Sequence, residues 1–292
     1  RLRHAVAAAA AAAAAAAVVA VVAVVVGHAD AATRPEMRQP QQQAMTRLEQ
    51  RIDIDPPPTW RRDGQDAFGN PVTWIAFHAP HDELHIRSAM TIAIEPHLPV
   101  HLEKSLPWEE VHDRLAYDSS APRPEDLAAM RFLFESAHIR IKHELGDFAA
   151  DCFPPGTPVL VGARALMAKI FAELTFDPEA TTVSTPVMEV LENKRGVCQD
   201  FAHLMIACLR ALGLAARYVS GYLLTHPPPG KPRLIGADAS HAWVSVYAPG
   251  FPNEWVDFDP TNNLLPDTQH ITVAIGRDFG DISPLRGVIL GG

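Results

Sequence analysis

The sequence predicts an α+β protein: a small β-rich domain, then a mixed core in which a helix-borne cysteine faces an antiparallel sheet. Three observations predict it. Leu84, Ile86, Ser88, Met90, Ile92 and Ile94 alternate strictly, as a half-buried strand does. Helical spacing takes over after Pro96. A helical segment beginning at or near Cys198 is then followed by three strand-like runs, two of which carry His241 and Asp259.

The 292 residues are enough to bury a sizeable core, as one large domain or two small ones. Three segments are expected: a low-complexity Ala/Val stretch with a Gln/Pro linker over 1–45, a β-rich domain over 46–100, and a catalytic core with a C-terminal tail over 101–292. A formal charge of -9 with no basic run to offset it argues against a nucleic-acid partner. Cys152, Cys198 and Cys208 do not make a disulfide framework. A reducing compartment suits a working thiolate, so a cytoplasmic location is expected. The alternative is export or membrane anchoring through residues 5–26, which are only alanine and valine behind Arg1-Leu2-Arg3-His4. That run has the basic start, apolar stretch and small-residue exit of a secretory signal, and the length of a membrane span. It holds no Leu, Ile or Phe, which weakens insertion; plain low complexity is the third reading. The Gln/Pro-rich piece through Gln43 reads as a linker.

In the β-rich part, Arg47 to Ile54 is expected as a strand ended by Pro56-Pro57-Pro58. Val72 to Phe77 is another, entered through the turn-forming Asp66-Ala67-Phe68-Gly69-Asn70-Pro71. In the helical part, Leu127, Met130, Arg131 and Phe134 follow one stripe after Pro124, and Leu166 to Leu174 another. Thr185-Pro186 offers a capping hydroxyl and a first-turn proline to a helix that runs to Asn193 and is broken by Gly196. The next helix ends at Gly213, a natural C-terminal cap. Cys198, Phe201, Met205, Cys208 and Leu212 share a stripe of it. Cys198 thus stands where unpaired N–H groups and the positive dipole end gather. Both favour thiolate over thiol, and the same N–H groups can form part of an oxyanion hole.

The three strand-like runs are Arg217 to Leu224, Ser240 to Tyr247 and Glu254 to Asp259. Ala242, Val244 and Val246 share one face, so His241, Trp243 and Ser245 share the other. Trp243 is placed to keep water from the imidazole. Trp255, Asp257 and Asp259 also share parity, so either acid could orient the histidine; the Asp-Pro-Thr context favours Asp259. A thiol, an imidazole and a carboxylate in this order are the parts of an activated sulfur nucleophile. Cys198 attacks a carbonyl, His241 takes and returns the proton, and Asp259 fixes the tautomer. Gln199 and Trp243 are expected to line the substrate site, and Asp200 to line it or stabilise the helix start. Cys208 reads as core. Cys198, His203 and Cys208 are five residues apart, about 140° of helix rotation per step, and splay too far to share one ion. No metal and no cofactor are therefore expected, and His203 is expected at the surface or behind the site.

Arg195-Gly196-Val197-Cys198-Gln199-Asp200-Phe201-Ala202-His203, Ala239-Ser240-His241-Ala242-Trp243 and Trp255-Val256-Asp257-Phe258-Asp259-Pro260-Thr261-Asn262 resemble the transglutaminase-like superfamily. They are most similar to its bacterial transglutaminase-like cysteine-protease group. The tail Gly276-Arg277-Asp278-Phe279-Gly280-Asp281-Ile282-Ser283-Pro284 and the turn Asp66-Ala67-Phe68-Gly69-Asn70 resemble it too, so the likeness runs from about Arg47 to the C-terminus. The resemblance implies a papain-like core behind a β-rich domain, with Cys198, His241 and Asp259 as the triad. It implies acyl transfer on amide bonds of peptides or proteins through a thioester, resolved by water or by an amine acceptor. Gln199 stands where the eukaryotic cross-linking enzymes carry tryptophan, and no calcium-loop spacing of acids is present. The rival expectation is a catalytically silent papain-like module that binds peptides or proteins.

Overall fold

A computed structural model describes residues 19–25, 45–94, 100–116, 122–224, 240–251 and 254–290; side chains at 19–25, 45–49, 289 and 290 are not described. The chain forms two compact units. The first contains β1 (Val19–Val25), β2 (Met45–Asp55), β3 (Trp60–Gln65), β4 (Pro71–Phe77), β5 (His85–Ile94) and the last strand, β12 (Leu285–Leu290). One sheet has the order β12-β1-β4-β3, and β2 pairs with β5 in a second, antiparallel ladder. The buried centre is Ile75 and Phe77, packed by Ile52, Ile54, Leu84, Ile86, Met90 and Leu285. The alternation expected of β5 holds at Ile86, Met90, Ile92 and Ile94, while Ser88 is exposed.

The turn before β4 is held by Asp66. Its Oδ1 accepts from the N–H groups of Phe68 (2.8 Å) and Asn70 (2.9 Å), and Oδ2 accepts from Asn70 Nδ2. Such side-chain-to-backbone bonds close a turn without help from a strand. Within the Ala/Val run, residues 19–25 form a strand between β12 and β4; the rest of the run and the Gln/Pro linker lie outside the described residues. No helix among the described residues is long and apolar enough to cross a membrane. The tail from Ile282 groups with the first unit and not with the core, because β12 pairs with β1.

The second unit contains α1 (Trp108–Leu115), α2 (Pro124–Met130), α3 (His143–Ala150), α4 (Val159–Glu173), α5 (Val187–Asn193) and α6 (Cys198–Ala211). Its sheet, of order β10-β9-β8-β11, comprises β8 (Ala216–Leu223), β9 (Ser240–Tyr247), β10 (Trp255–Phe258) and β11 (His270–Gly276), all antiparallel. A two-residue parallel pairing of β6 (Thr175–Phe176) with β7 (Arg195–Gly196) leads into α6. α6 packs on β9 and β8 and against α3, α4 and α5.

Every residue of α6 from Asp200 to Arg210 is buried. The single apolar stripe expected of it is therefore too narrow: α6 is the central helix, enclosed all round. Its end is a Schellman motif, with Gly213 at φ 73°, Gly213 N–H bonded to Arg210 and Leu214 N–H to Leu209.

Two smaller expectations are corrected. In α2 the inward residues are Asp126 and Ala129, while Leu127 and Phe134 are exposed. Asp126 turns inward because Arg123 and the Tyr247 hydroxyl both donate to its carboxylate. At α5 the N-cap is Pro186 and not Thr185, whose hydroxyl accepts instead from Thr182 N–H at 2.9 Å.

Candidate active site

Val197, in extended conformation, is the N-cap of α6. Its N–H donates to Asp200 Oδ2 at 2.8 Å, and the Thr181 hydroxyl donates to the same oxygen at 2.6 Å. Burial raises the Asp200 pKa, opposed by those two donors. Asp200 thus ties down the first turn and does not line the site. Gly196 is required beneath it: a Cβ there would lie 2.6 Å from Asp200 Oδ2 and 2.8 Å from its Cβ. This packing delivers Cys198, a free and half-buried thiol, to the first position of α6.

His241 and Asp259 come together. His241 Nε2 donates to Asp259 Oδ2 at 2.9 Å, with both side chains fully buried. Asp259 follows β10 and is held by a bridge to Leu264. Its Oδ1 accepts from Thr261 N–H (3.0 Å) and Asn262 N–H (3.2 Å), and its Oδ2 also accepts from Asn262 Nδ2 (2.7 Å). Burial works against the carboxylate, but these donors outweigh it and hold the carboxyl well below its ordinary range. An ionised Asp259 places the proton of His241 on Nε2. Nδ1 is buried and makes no hydrogen bond of its own. Burial disfavours a charged ring at His241, yet Asp259 first and the Cys198 sulfur second raise its pKa to about 10.

Asp257, the other acid of matching parity, serves elsewhere: it accepts from Trp243 Nε1 at 3.1 Å. Trp243 has no exposed surface, so the expectation that it lines a substrate site is corrected. Its ring lies 6.1 Å from that of His241, tilted by 32°. Gln199 is half-buried, with Nε2 donating to Val183 O at 3.1 Å; it ties the loop at Val183 to the start of α6. His203, expected at the surface or behind the site, is 2 % exposed. It accepts from Phe279 N–H at 3.2 Å and stacks on His138. Cys208 is core, as expected.

One site residue escaped the sequence reading. His270, at the start of β11, donates from Nε2 to Asp259 Oδ2 at 3.1 Å. β11 and β9 both flank β8, where Gly221 faces His241 on one side and Thr272 on the other. A Cβ on Gly221 would lie 2.4 Å from the Trp243 ring and closer still to Ile271 O. The missing side chain lets the rings of Trp243 and His270 meet at 5.3 Å. A glycine midway along a predicted strand was the available signal.

His241, Asp259 and His270 form the one cluster among the described residues whose donor atoms, within 4.8 Å of one another, have metal-like spacing. Three hydrogen bonds to one carboxylate oxygen already account for that closeness, so no metal is assigned.

The model of the "Transglutaminase-like superfamily" matches residues 147–260, and that of the "Bacterial transglutaminase-like N-terminal region" matches residues 27–93. An uncharacterised protein of Mycobacterium tuberculosis is 42% identical over 247 residues, 82% of this chain and 75% of that protein. One from Mycobacterium leprae is 32% identical over 232 residues, 77% of this chain and 75% of its own. A protein-glutamine gamma-glutamyltransferase of Pseudomonas aeruginosa is 29% identical over 138 residues, 42% of this chain but 20% of that one. A crystal structure of a candidate cysteine protease from Cytophaga hutchinsonii matches with TM-score 0.63 and 19% identity, over 94% of this chain and 82% of the other. At that identity the likeness is one of fold.

Proposed function

The chain belongs to the transglutaminase-like superfamily, and on that premise we propose that it is a thiol-dependent acyl-transfer enzyme acting on amide bonds of peptides or proteins. Cys198 is the nucleophile, His241 the acid-base and Asp259 the residue that orients it. The observation that carries this reading is a buried imidazole whose Nε2 is tied to an ionised, buried carboxylate and whose pKa is raised by that carboxylate and by the Cys198 sulfur.

His241 takes the Cys198 proton, and the sulfur bonds to the amide carbon as the carbonyl π pair moves onto oxygen. The first-turn N–H groups of α6 stabilise the oxyanion. The C–N bond then breaks, and His241 delivers its proton to the departing amine. Water resolves the thioester in a hydrolase: its oxygen joins the carbonyl carbon as one proton passes to His241, the C–S bond then breaks to release the acid, and His241 returns that proton to the Cys198 sulfur. A second amine in place of water gives transamidation. The Pseudomonas relative favours keeping that branch as the second reading.

Glutamine-containing peptides incubated with and without a primary amine test both branches. Release of ammonia or a new peptide terminus without amine indicates hydrolysis, and amine incorporation indicates transfer. A protein in which Cys198→Ala leaves every such product unchanged is not this enzyme and is better read as a binding module.

A further inference from the structure

We propose that His270 is a positioning residue of this site: it shares the Asp259 carboxylate with His241 and, set between Asp259 and Asp267, carries positive charge that limits how tightly Asp259 holds the His241 proton. The proposal rests on the triad reading above and adds a fourth participant to it. Three facts support it. Asp259 Oδ2 is common to both rings, at 2.9 Å from His241 Nε2 and 3.1 Å from His270 Nε2. His270 is fully buried, and its Nδ1 has no hydrogen-bond partner. That nitrogen faces a second carboxylate, with Asp267 Oδ1 at 3.9 Å.

The titratable groups that face His270 are Asp259 beyond β10, Asp267 in the loop before β11, and His241 on β9. Burial disfavours a charged His270, but Asp259 and Asp267 outweigh it and raise its pKa, while His241 lowers it. Two carboxylates against one extra imidazole leave room for a cation. A neutral His270 would leave a lone pair on Nδ1 directed toward an anion.

The chemical consequence is competition. Asp259 alone would stabilise the His241 imidazolium strongly, making it a poor donor to a leaving amine. A cation on the far side of the same oxygen offsets part of that field. The rings are 6.2 Å apart, a distance at which one unit charge shifts a neighbour by about one pH unit or more.

The test is the pH profile of Cys198 alkylation by iodoacetamide, with Cys198→Ala to subtract Cys152 and Cys208. His270→Gln keeps a donor toward Asp259 without the charge, and His270→Phe removes both. The proposal expects the upper limb of the profile, which reports loss of the His241 proton, to move upward by about one pH unit in the Gln variant. A larger shift and a slower maximal rate are expected for Phe. An unchanged profile in variants that differ only in melting temperature, or a downward shift, overturns it. An unreactive Cys198 in the wild-type protein would instead sink the triad reading. Should both variants fail to fold, ¹⁵N-histidine NMR of the wild-type chain decides. The two rings bonded to Asp259 through Nε2 are told apart by the signal lost in His241→Gln; the remaining one, His270, is protonated on both nitrogens at pH 7 in the wild-type chain, and a neutral His270 overturns the proposal.

Discussion

At the residue scale, Asp259 is the most heavily committed side chain of the site. Its two oxygens take five hydrogen bonds, those from His241, His270 and Thr261 N–H being buried. Asp259→Ala should therefore cost about 3–5 kcal/mol of stability in urea unfolding, the range for a buried charged partner removed alone. Asp259→Asn should cost less stability but lower the rate of acyl transfer by about 10²–10⁴, through the wrong imidazole tautomer. Equal stability losses for the two variants would contradict this. The sign for His241 is separate: its folded pKa, about 10, lies above the ordinary 6.5. The stability it contributes is complete below about 6.5 and is lost as pH rises through about 10. The melting temperature should fall over that window, and His241→Gln should flatten the fall. Cys198, His241 and Asp259 were legible because each sits in a distinctive local pattern, and strand parity narrowed the acid to two. His270 was not legible. Its role depends on β11 reaching across Gly221 of β8; that glycine signals a close approach at mid-strand but not which residue makes it.

At the element scale, α6 explains both what was readable and what was misread. Its start and stop follow from Cys198 and Gly213, and the structure agrees. Its surroundings do not follow from its own sequence. His203, expected at the surface or behind the site, is buried, and so is Arg210, because β8, β9 and three helices enclose α6. Arg210 meets this by donating to Phe134 O, Ala216 O and Arg277 O. His203 meets it by staying neutral: burial lowers its pKa to about 3 from 6.5, against the charge of Asp278, which raises it, and with His138 and Arg210 adding to the fall. Here the folded value is depressed, so the stability is present above about 6.5 and is lost as pH falls toward about 3. Melting temperatures between pH 7 and pH 4.5 should drop, and His203→Gln should reduce the slope; an unchanged slope would place the acid sensitivity elsewhere. β3 was invisible for another reason: nearly all of it is exposed and charged or polar, as suits a sheet edge. β11 was hidden by the register shift between Thr272 and Ala274, which breaks its alternation.

At the scale of the whole molecule, the α+β class and the order of a β-rich part before a mixed core were readable from where the period changes. The path of the chain's end was not, because β12 returns to pair with β1, some 260 residues away in sequence. Deleting residues 285–292 removes that ladder and takes Leu285 from the cluster around Ile75 and Phe77. Hydrogen exchange at those two residues should speed up; unchanged protection would show that β12 adds nothing to the first unit. The account as a whole stands on the sulfur of Cys198 reacting because His241 and Asp259 stand behind it. Intact-protein mass spectrometry after mixing with an activated acyl peptide measures this most directly. The account predicts one acyl group on Cys198, removed by hydroxylamine, and its loss in both Cys198→Ala and His241→Ala. No adduct on the wild-type protein, or one that forms as fast in His241→Ala, would contradict it.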